Sequence, residues 1–347
     1  MAITADDLKI YKAVTNSDEA TNGGRMSDTE IVSNVLENLL PNVTEAERVA
    51  GLTRYRKFYS KNESDESDGS RNGLGLVNHR VCVGRQSPGD DWLRLHDSTA
   101  VTDVQSDATN YTDWVGCGKI YAGVAVDQTS IQLQFDGPVG GPYDGVYAGN
   151  TVRLAQYAYS DSLGIYQVSK EEFVTVATGG VSWGGSIATL TLTAPLTKAW
   201  SAYDEGTDVY TFGSACVECG TIKATKELVS QPRTFDITNV WVYNKGTVED
   251  TFTITFLTAT TYSVSGVVTG VLTNGSTGSA YLPPNGDSFY FRLPTDVWGI
   301  ATWQIGDVIV FKTHQAADGV WCKEIVPADA DSIANNNPHI NRSGESA

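Results

Sequence analysis

The segment Gly180-Val181-Ser182-Trp183-Gly184 has the spacing of a nucleophile elbow, in which a serine attacks an acyl carbon. That chemistry requires a strand that turns sharply into a helix, because the turn exposes the serine hydroxyl. Residues 187–193 instead alternate between apolar and polar side chains, which is typical of a strand. We therefore predict that Ser182 lies in a hairpin and is not a nucleophile.

The cysteines are odd in number and mostly scattered: Cys82, Cys117, Cys216, Cys219 and Cys322. Cys216 and Cys219 have half of a zinc-ribbon spacing, but no second such pair and no close histidine pair follows them. Small, reduced, buried thiols are the favoured interpretation. We predict no metal and no cofactor.

Residues 18–29 approach the pattern of a calcium-binding loop. Asp18, Asn22 and Gly23 would occupy its first, fifth and sixth positions. However, Ala20 stands at the third position and Thr29 at the twelfth, where carboxylates are needed. The sequence therefore favours a glycine-rich connector over a cation site.

Other catalytic patterns are weak. The histidines are far apart in the chain: His79, His96, His314 and His339. The adjacent acids Glu171-Glu172 would point to opposite faces of a strand, whereas a glycosidase needs two carboxylates that face each other across a cleft. We predict that the chain is not an enzyme, and a hydrolase using Ser182 or paired acids is the rejected alternative.

Charge and hydropathy limit the possible partners. The chain of 347 residues carries a formal net charge of -17, which argues against nucleic acid and anionic membranes because both need clustered positive charge. No apolar stretch reaches the roughly twenty residues that a membrane helix needs. The first residues lack the basic and apolar pattern of a secretory leader, so we expect synthesis in a cytoplasm.

Thirty-four glycines and runs rich in Thr, Val, Ile and Tyr favour a mainly β fold with tight turns. We predict two or three β-sandwich or barrel modules, with short helices in the N-terminal region. The predicted units are a helix-bearing sandwich at 1–115, a middle barrel or sandwich at 116–232, a C-terminal sandwich at 233–327 and a flexible tail at 328–347.

Helical signals are confined to the first sixty residues. Ser27 with Glu30 forms a capping box ahead of apolar residues at helical spacing, which predicts a helix over 31–40. Thr44 with Glu47 predicts a second, shorter helix that ends at Gly51. A strand dense in aromatic and basic residues then follows at 52–61.

Tryptophans are concentrated near the end of the chain, at Trp298, Trp303 and Trp321. Such aromatics can stack on sugars, but in β-sandwiches they more often fill a core or an interface. We favour the core or interface interpretation. A receptor-binding or glycan-binding module built on these side chains is the alternative.

Several segments are similar to a family of structural proteins of tailed bacteriophages and prophages. They are residues 3–11, Gly23-Gly24-Arg25-Met26-Ser27, residues 34–41, residues 54–62, residues 86–91, and residues 303–314 followed by Trp321. The resemblance covers the first hundred residues and the last fifty and carries no catalytic residue. It implies a virion component that contacts copies of itself and neighbouring virion proteins, in the tail, baseplate or tail-tube attachment region. Head decoration or a head–tail neck is the alternative position.

Basic residues of the N-terminal region suggest how such a subunit could assemble. Arg25, Arg54, Arg56 and Lys57 stand out in an otherwise acidic chain. Opposite charges steer protein association and fix its register. We therefore predict that these four side chains form a patch that docks an acidic face of another copy or of a neighbouring protein.

Overall fold

The computed structural model describes residues 3–33, 35, 37–64, 73–86, 91–135, 145–160, 165–204, 206, 209–300, 302–331 and 338–346. Within these ranges the chain is mainly β, and its two α-helices are short, which confirms the predicted fold class. The helices are α1 (Glu45–Ala50) and α2 (Gln105–Ala108). Single 3-10 turns lie at Ala5–Asp7, Ile237–Asn239 and Thr295–Trp298.

The strands are, in chain order, β1 (Leu8–Thr15), β2 (Gly23–Glu30), β3 (Leu52–Asn62), β4 (Leu76–Arg85), β5 (Trp92–Asp97), β6 (Val115–Ile120), β7 (Ser130–Gln134), β8 (Thr151–Ser160), β9 (Ile165–Gly184), β10 (Ile187–Leu192), β11 (Val209–Ile222), β12 (Thr225–Ser230), β13 (Asp250–Phe256), β14 (Thr261–Gly266), β15 (Gly270–Val271), β16 (Gly275–Ser276), β17 (Pro284–Asn285), β18 (Ser288–Phe289), β19 (Val308–His314), β20 (Ala317–Val326) and β21 (His339–Ser346).

One large antiparallel sheet runs through most of the chain. Its strand order is β2-β1-β3-β20-β5-β6-β7-β10-β9-β8-β11-β4-β21. β20 comes from late in the sequence, yet it lies between β3 and β5 with Trp321 opposite both Lys57 and His96. The predicted N-terminal unit is therefore completed by a strand from the predicted C-terminal one.

Six strands of this sheet close on themselves. β11 pairs with β8 and also with β6, so β6, β7, β10, β9, β8 and β11 form a closed ring of pairings. Closure leaves the ring without an unpaired edge. This barrel lies within the region where turn spacing predicts a barrel or sandwich.

A second sheet forms from the C-terminal region in the order β12-β19-β13-β14-β15, with β16 beside β14. On β13 the side chains alternate, and Phe252, Ile254 and Phe256 are fully buried. Successive strand residues point to opposite faces, so this alternation places one apolar face against the core.

The helix predicted over residues 31–40 is wrong. Ser27 lies within β2, where its hydroxyl donates to the carbonyl of Lys12 instead of capping a helix. The Ile31 amide donates to the Ile10 carbonyl at 2.7 Å, which extends the pairing with β1. Strand pairing across the chain thus overrides the local helical pattern, as tertiary context often does. The second predicted helix is confirmed as α1, with Thr44 and Glu47 in a capping box.

The part of the predicted flexible tail that the structure describes includes a strand. β21 pairs with β4, with Ile340 opposite Val83 and Arg342 opposite Val81. A low apolar content did not prevent this pairing, because backbone groups supply the hydrogen bonds of a sheet. The residue types at 234–243 favour a strand, but a 3-10 turn occupies Ile237–Asn239. The acidic, serine-rich stretch at 63–68 favours an exposed loop, and most of it lies outside the described residues.

Candidate functional site

Strand β3 carries three of the four predicted assembly residues. It lies between β1 and β20 in the main sheet, and most of its side chains from Arg54 onward are buried. Arg54, Arg56 and Lys57 are each at most 3% exposed. We call these three side chains and their acidic partners the β3 network.

Arg54 connects three distant segments. Its Nη1 lies 2.9 Å from Oε2 of Glu324 on β20, and its Nη2 lies 3.0 Å from Oε1 of Glu47 on α1. Its Nε lies 3.3 Å from Asp18, in the connector between β1 and β2. Burial raises the pKa of Glu324 to about 7, against the opposing effect of Arg54. One guanidinium therefore holds the connector, α1 and β20 together.

Arg56 contacts the same connector. Its Nη2 lies 2.7 Å from Oδ1 of Asp18, and its Nη1 donates to the Ser17 carbonyl at 2.7 Å. Asp18, the first position of the rejected calcium loop, thus forms ion pairs with two arginines. Among the described residues, no group of His, Cys, Asp and Glu side chains is arranged to hold a metal ion.

Lys57 points to the opposite side of β3. Its ammonium donates to the carbonyls of Ala100 and Val101 at 3.0 and 3.1 Å and to the Asp103 carboxylate. An ammonium has three protons to donate, and these contacts match that number. Burial lowers the pKa of Lys57, although Asp103 opposes the shift. With its protons engaged inside the protein, Lys57 is structural and is not placed as a nucleophile.

Asp103 is a buried centre of hydrogen bonds that sequence reasoning did not identify. Its Oδ2 accepts from Tyr111 at 2.5 Å and from Nε1 of Trp321 at 3.1 Å, in addition to its ion pair with Lys57. Burial alone would raise its pKa, but these donors hold the pKa below its ordinary value. Asp103 also accepts from the neighbouring Ser98 and Thr99, but its partners Lys57 and Trp321 lie on β3 and β20, far away in the sequence.

The Asn22-Gly23-Gly24 turn docks on this centre. The side-chain amide of Asn22 donates to the Tyr55 carbonyl at 2.8 Å, and the backbone amide of Gly24 donates to the Asp103 carbonyl at 2.9 Å. Gly23 has φ +108°, and a Cβ there would lie 2.7 Å from the Trp321 ring. The turn therefore needs glycine both for its backbone conformation and for space.

Arg25 has a different environment from the β3 network. It is half-buried on β2, and its Nη1 donates to the Glu249 carbonyl at 2.8 Å. This bond ties the β1–β2 hairpin to the C-terminal sheet. The structure thus brings Arg54 and Arg56 together on Asp18, places Lys57 across the strand and leaves Arg25 elsewhere. These cations bind groups of their own chain and do not form an exposed patch.

Two candidate catalytic serines among the described residues, Ser182 and Ser60, lie in different surroundings. Ser182 is exposed on β9 opposite Thr189 of β10, so the predicted hairpin is confirmed. Ser60 Oγ and His79 Nε2 are 2.8 Å apart, but both residues are at most 1% exposed. Burial lowers the pKa of His79 to about 4. A substrate has no described route to this pair.

All five cysteines are buried and free, which confirms the interpretation as reduced thiols. Trp298 and Trp303 are also core residues. Trp303 stacks on Phe256 with ring centres 4.5 Å apart, and Trp298 packs on Tyr262 at 4.7 Å. Both tryptophans are 3% exposed, so neither offers a face to a sugar in this structure.

A groove of about 850 Å³ is lined by the start of β1, residues 31–33, 35 and 37–40, and β21. Two arginines, Arg85 and Arg342, are among its lining residues. Arg85 Nε and Arg342 Nη1 are buried, and neither has a hydrogen-bond partner in the part of the chain that the structure describes.

No helix among the described residues is long and apolar enough to cross a membrane. No protein-family model matches the chain, and no curated protein matches it. A chain in a structure of infectious bursal disease virus, Gx strain, aligns with 11% identity over 85% of this chain and 79% of that chain. Its TM-score of 0.10 carries no argument about fold or function.

Proposed function

We propose that this chain is a structural subunit of a tailed-phage particle that assembles with further copies of itself. The proposed position is the tail, the baseplate or the tail-tube attachment region, and a position in head decoration or the neck is the alternative. The similarity of residues 3–11, 54–62 and 303–314 to virion proteins of tailed phages motivates this proposal.

The strongest support for this proposal is the position of the two edge strands of the main sheet. The main sheet ends in β2 at one side and in β21 at the other, so segments near the two ends of the chain form its two edges. Edge strands present unpaired N–H and C=O groups, which a strand of another chain can pair with. Residues at the end of β2, Asp28 to Glu30, are exposed. This arrangement suits lateral assembly, in which each copy extends the sheet of its neighbour.

The described side chains support a structural role. The basic side chains of the β3 network, Asp103 and the Ser60–His79 pair are buried and hold segments of the chain together. A net charge of -17 keeps single copies apart in solution until a specific contact outweighs their repulsion. Assembly would then depend on defined edges and not on general hydrophobic association.

The test is to purify particles, separate heads from tails and quantify this protein in each fraction by mass spectrometry. We expect it in the tail fraction at a fixed copy number per particle. Recovery in the head fraction would support the alternative position. Absence from particles would overturn the proposal.

A further inference from the structure

Two of the buried cysteines face each other across neighbouring strands. Cys82 on β4 lies directly opposite Cys216 on β11 in the antiparallel pairing of these strands. Directly opposite residues project from the same face of a sheet, and their Cα atoms are about 4.5–5.5 Å apart. A disulfide needs Cα atoms that are about 4.4–6.8 Å apart. The backbones of β4 and β11 therefore already have the spacing of a cross-strand disulfide.

The two thiols also contact each other. The side chains of Cys82 and Cys216 share a hydrogen bond, and Cys216 Sγ donates to the Ser214 carbonyl at 3.7 Å. Both cysteines are at most 3% exposed. The side-chain contact and the strand register thus select the same pair, and neither strand has to shift for the two sulfur atoms to meet.

The remaining cysteines are less well placed. Cys117 on β6 lies opposite Ser214, two residues before Cys216 on β11. Cys117 is therefore a diagonal neighbour of Cys216, with Cα atoms about 7–8 Å apart, which is beyond the disulfide range. Cys219 falls at a register shift of β11 and has no opposite residue on β4. Cys322 on β20 lies opposite no cysteine on β3 or β5.

The surroundings of the pair slow its oxidation without preventing it. The hydrogen bond with Cys82, together with burial, raises the pKa of Cys216, so this thiol is rarely ionised at neutral pH. The thiolate is the form that attacks a disulfide. β4 lies beside the edge strand β21, and their pairing shifts register at two places. Local opening at a sheet edge needs less free energy than global unfolding, so an oxidant can reach β4 in the folded protein.

We propose that Cys82 and Cys216 are a redox-sensitive pair that a low-molecular-weight disulfide converts into an intrachain disulfide. The thiolate of one cysteine attacks the soluble disulfide, which forms a mixed disulfide and releases one soluble thiolate. The thiolate of the other cysteine then attacks the protein sulfur of the mixed disulfide and releases the second. Two protein thiols are thus oxidised to one disulfide, and the soluble disulfide is reduced to two thiols that take up the two protons.

The bond would join the closed ring of strands to the strands beside it. β11 belongs to the ring, whereas β4 and β21 lie outside it. The crosslink would close a loop from residue 82 to residue 216, and crosslinks across long loops restrict the unfolded chain most. Oxidation is therefore expected to fasten β4 and β21 to the ring. The inference goes beyond the proposed assembly and does not depend on it, because both cysteines belong to one chain.

The test is to incubate the folded, reduced protein with oxidised glutathione, remove the glutathione, unfold the protein in iodoacetamide and map its cysteines by mass spectrometry. We expect Cys82 and Cys216 in one linked pair of peptides, with the other three cysteines alkylated. Cys82→Ser should abolish the link, and the control Cys322→Ser should keep it. Alkylation of Cys82 and Cys216 in the treated wild type, glutathione retained on either, a link through Cys117, or a link to a second copy would overturn the inference.

Thermal unfolding with and without a reductant measures what the bond does. We expect the oxidised wild type and oxidised Cys322→Ser to unfold at least about 5 °C above their own reduced forms. Cys82→Ser should unfold at one temperature under both conditions. Comparing each protein with its own reduced form removes the cost of the serine substitution itself, and the wild-type map decides the inference even if Cys82→Ser fails to fold. A link without this rise in unfolding temperature would overturn the fastening of β4 to the ring.

Discussion

Arg54 and Glu324 are 270 positions apart in the chain, yet their side chains form a buried ion pair with 2.9 Å between Nη1 and Oε2. Arg54 also binds Glu47 and Asp18, so this one side chain joins β3, β20, α1 and the β1–β2 connector. The N-terminal layer is therefore held to a strand from the end of the chain by charge as well as by sheet pairing.

Replacing Arg54 with alanine is expected to lower the free energy of unfolding by about 3–5 kcal/mol, because Glu324 would be left buried without its partner. Guanidinium unfolding followed by fluorescence measures this change. The control is Lys312→Ala, which breaks an exposed pair with Glu227 and should cost less than about 1 kcal/mol. Equal, small effects for the two variants would show that the buried pair does not connect the layers.

Gly23→Ala is expected to destabilise the protein by about 2–4 kcal/mol, combining a strained positive φ with overpacking. A Cβ at Gly23 would lie 2.7 Å from Trp321, whereas one at Gly185 would meet nothing within 4 Å. Gly185 also has a positive φ, +62°. Gly185→Ala is thus the matched control, with an expected cost of about 1–2 kcal/mol. Thermal unfolding of both variants separates strain from the contact with Trp321, and equal costs would contradict that contact.

His79 predicts a pH dependence. Burial lowers its pKa from 6.5 to about 4, so the unfolded chain binds more protons between these values. The contribution of neutral, buried His79 to the free energy of unfolding is therefore fully present above pH 6.5. It is lost as pH falls towards 4, by an amount on the order of 3 kcal/mol. The measurement is the difference in unfolding free energy between the wild type and His79→Gln at pH steps from 7.5 to 4.5, which cancels other titrating groups.

Ser60→Ala is the control for this pH dependence. It removes the hydroxyl bonded to His79 Nε2 but leaves the imidazole buried, and burial is the main cause of the pKa shift. We expect this variant to keep the wild-type pH dependence while His79→Gln loses it. A His79→Gln variant with the wild-type slope would show that another group is responsible.

Local sequence patterns predicted the structural elements whose contacts lie between neighbouring residues. The capping box of Thr44 and Glu47 gives α1, and the alternation after Ser182 gives the β9–β10 hairpin. In both cases the decisive contacts lie within a few residues of one another. The mainly β class follows for the same reason, since strand and turn propensities are local.

Long-range pairing could not be predicted. The Ser27–Glu30 pattern favours a helix, but in the folded chain both residues lie on β2, which pairs with β1. In the sequence, nothing distinguishes Trp321 from other aromatic residues. In the fold, β20 places it between Lys57 and His96 and against Asp103. In the sequence, the basic residues of β3 resemble a surface patch. In the fold, β3 lies between β1 and β20, and these residues are buried.

Replacing Trp303 distinguishes a role in the core from a role in sugar binding. Its ring lies parallel to Phe256 at an angle of 2°, and its Nε1 donates to the Trp298 carbonyl at 3.1 Å. Trp303→Ala should therefore cost about 3–5 kcal/mol of stability by leaving a cavity. Ile305→Ala, at a side chain that is 79% exposed, should change stability by less than about 0.5 kcal/mol.

Both variants are compared by thermal unfolding and by retention on immobilised host-surface polysaccharide. If Trp303 is a core residue, any loss of retention in Trp303→Ala accompanies a lowered unfolding temperature, because a buried ring can affect binding only through the stability of the fold. A variant that unfolds at the wild-type temperature but no longer binds polysaccharide would instead place Trp303 in a glycan site. The stacked geometry with Phe256 favours the first outcome, since a ring covered on its face by another aromatic ring leaves no such face for a sugar.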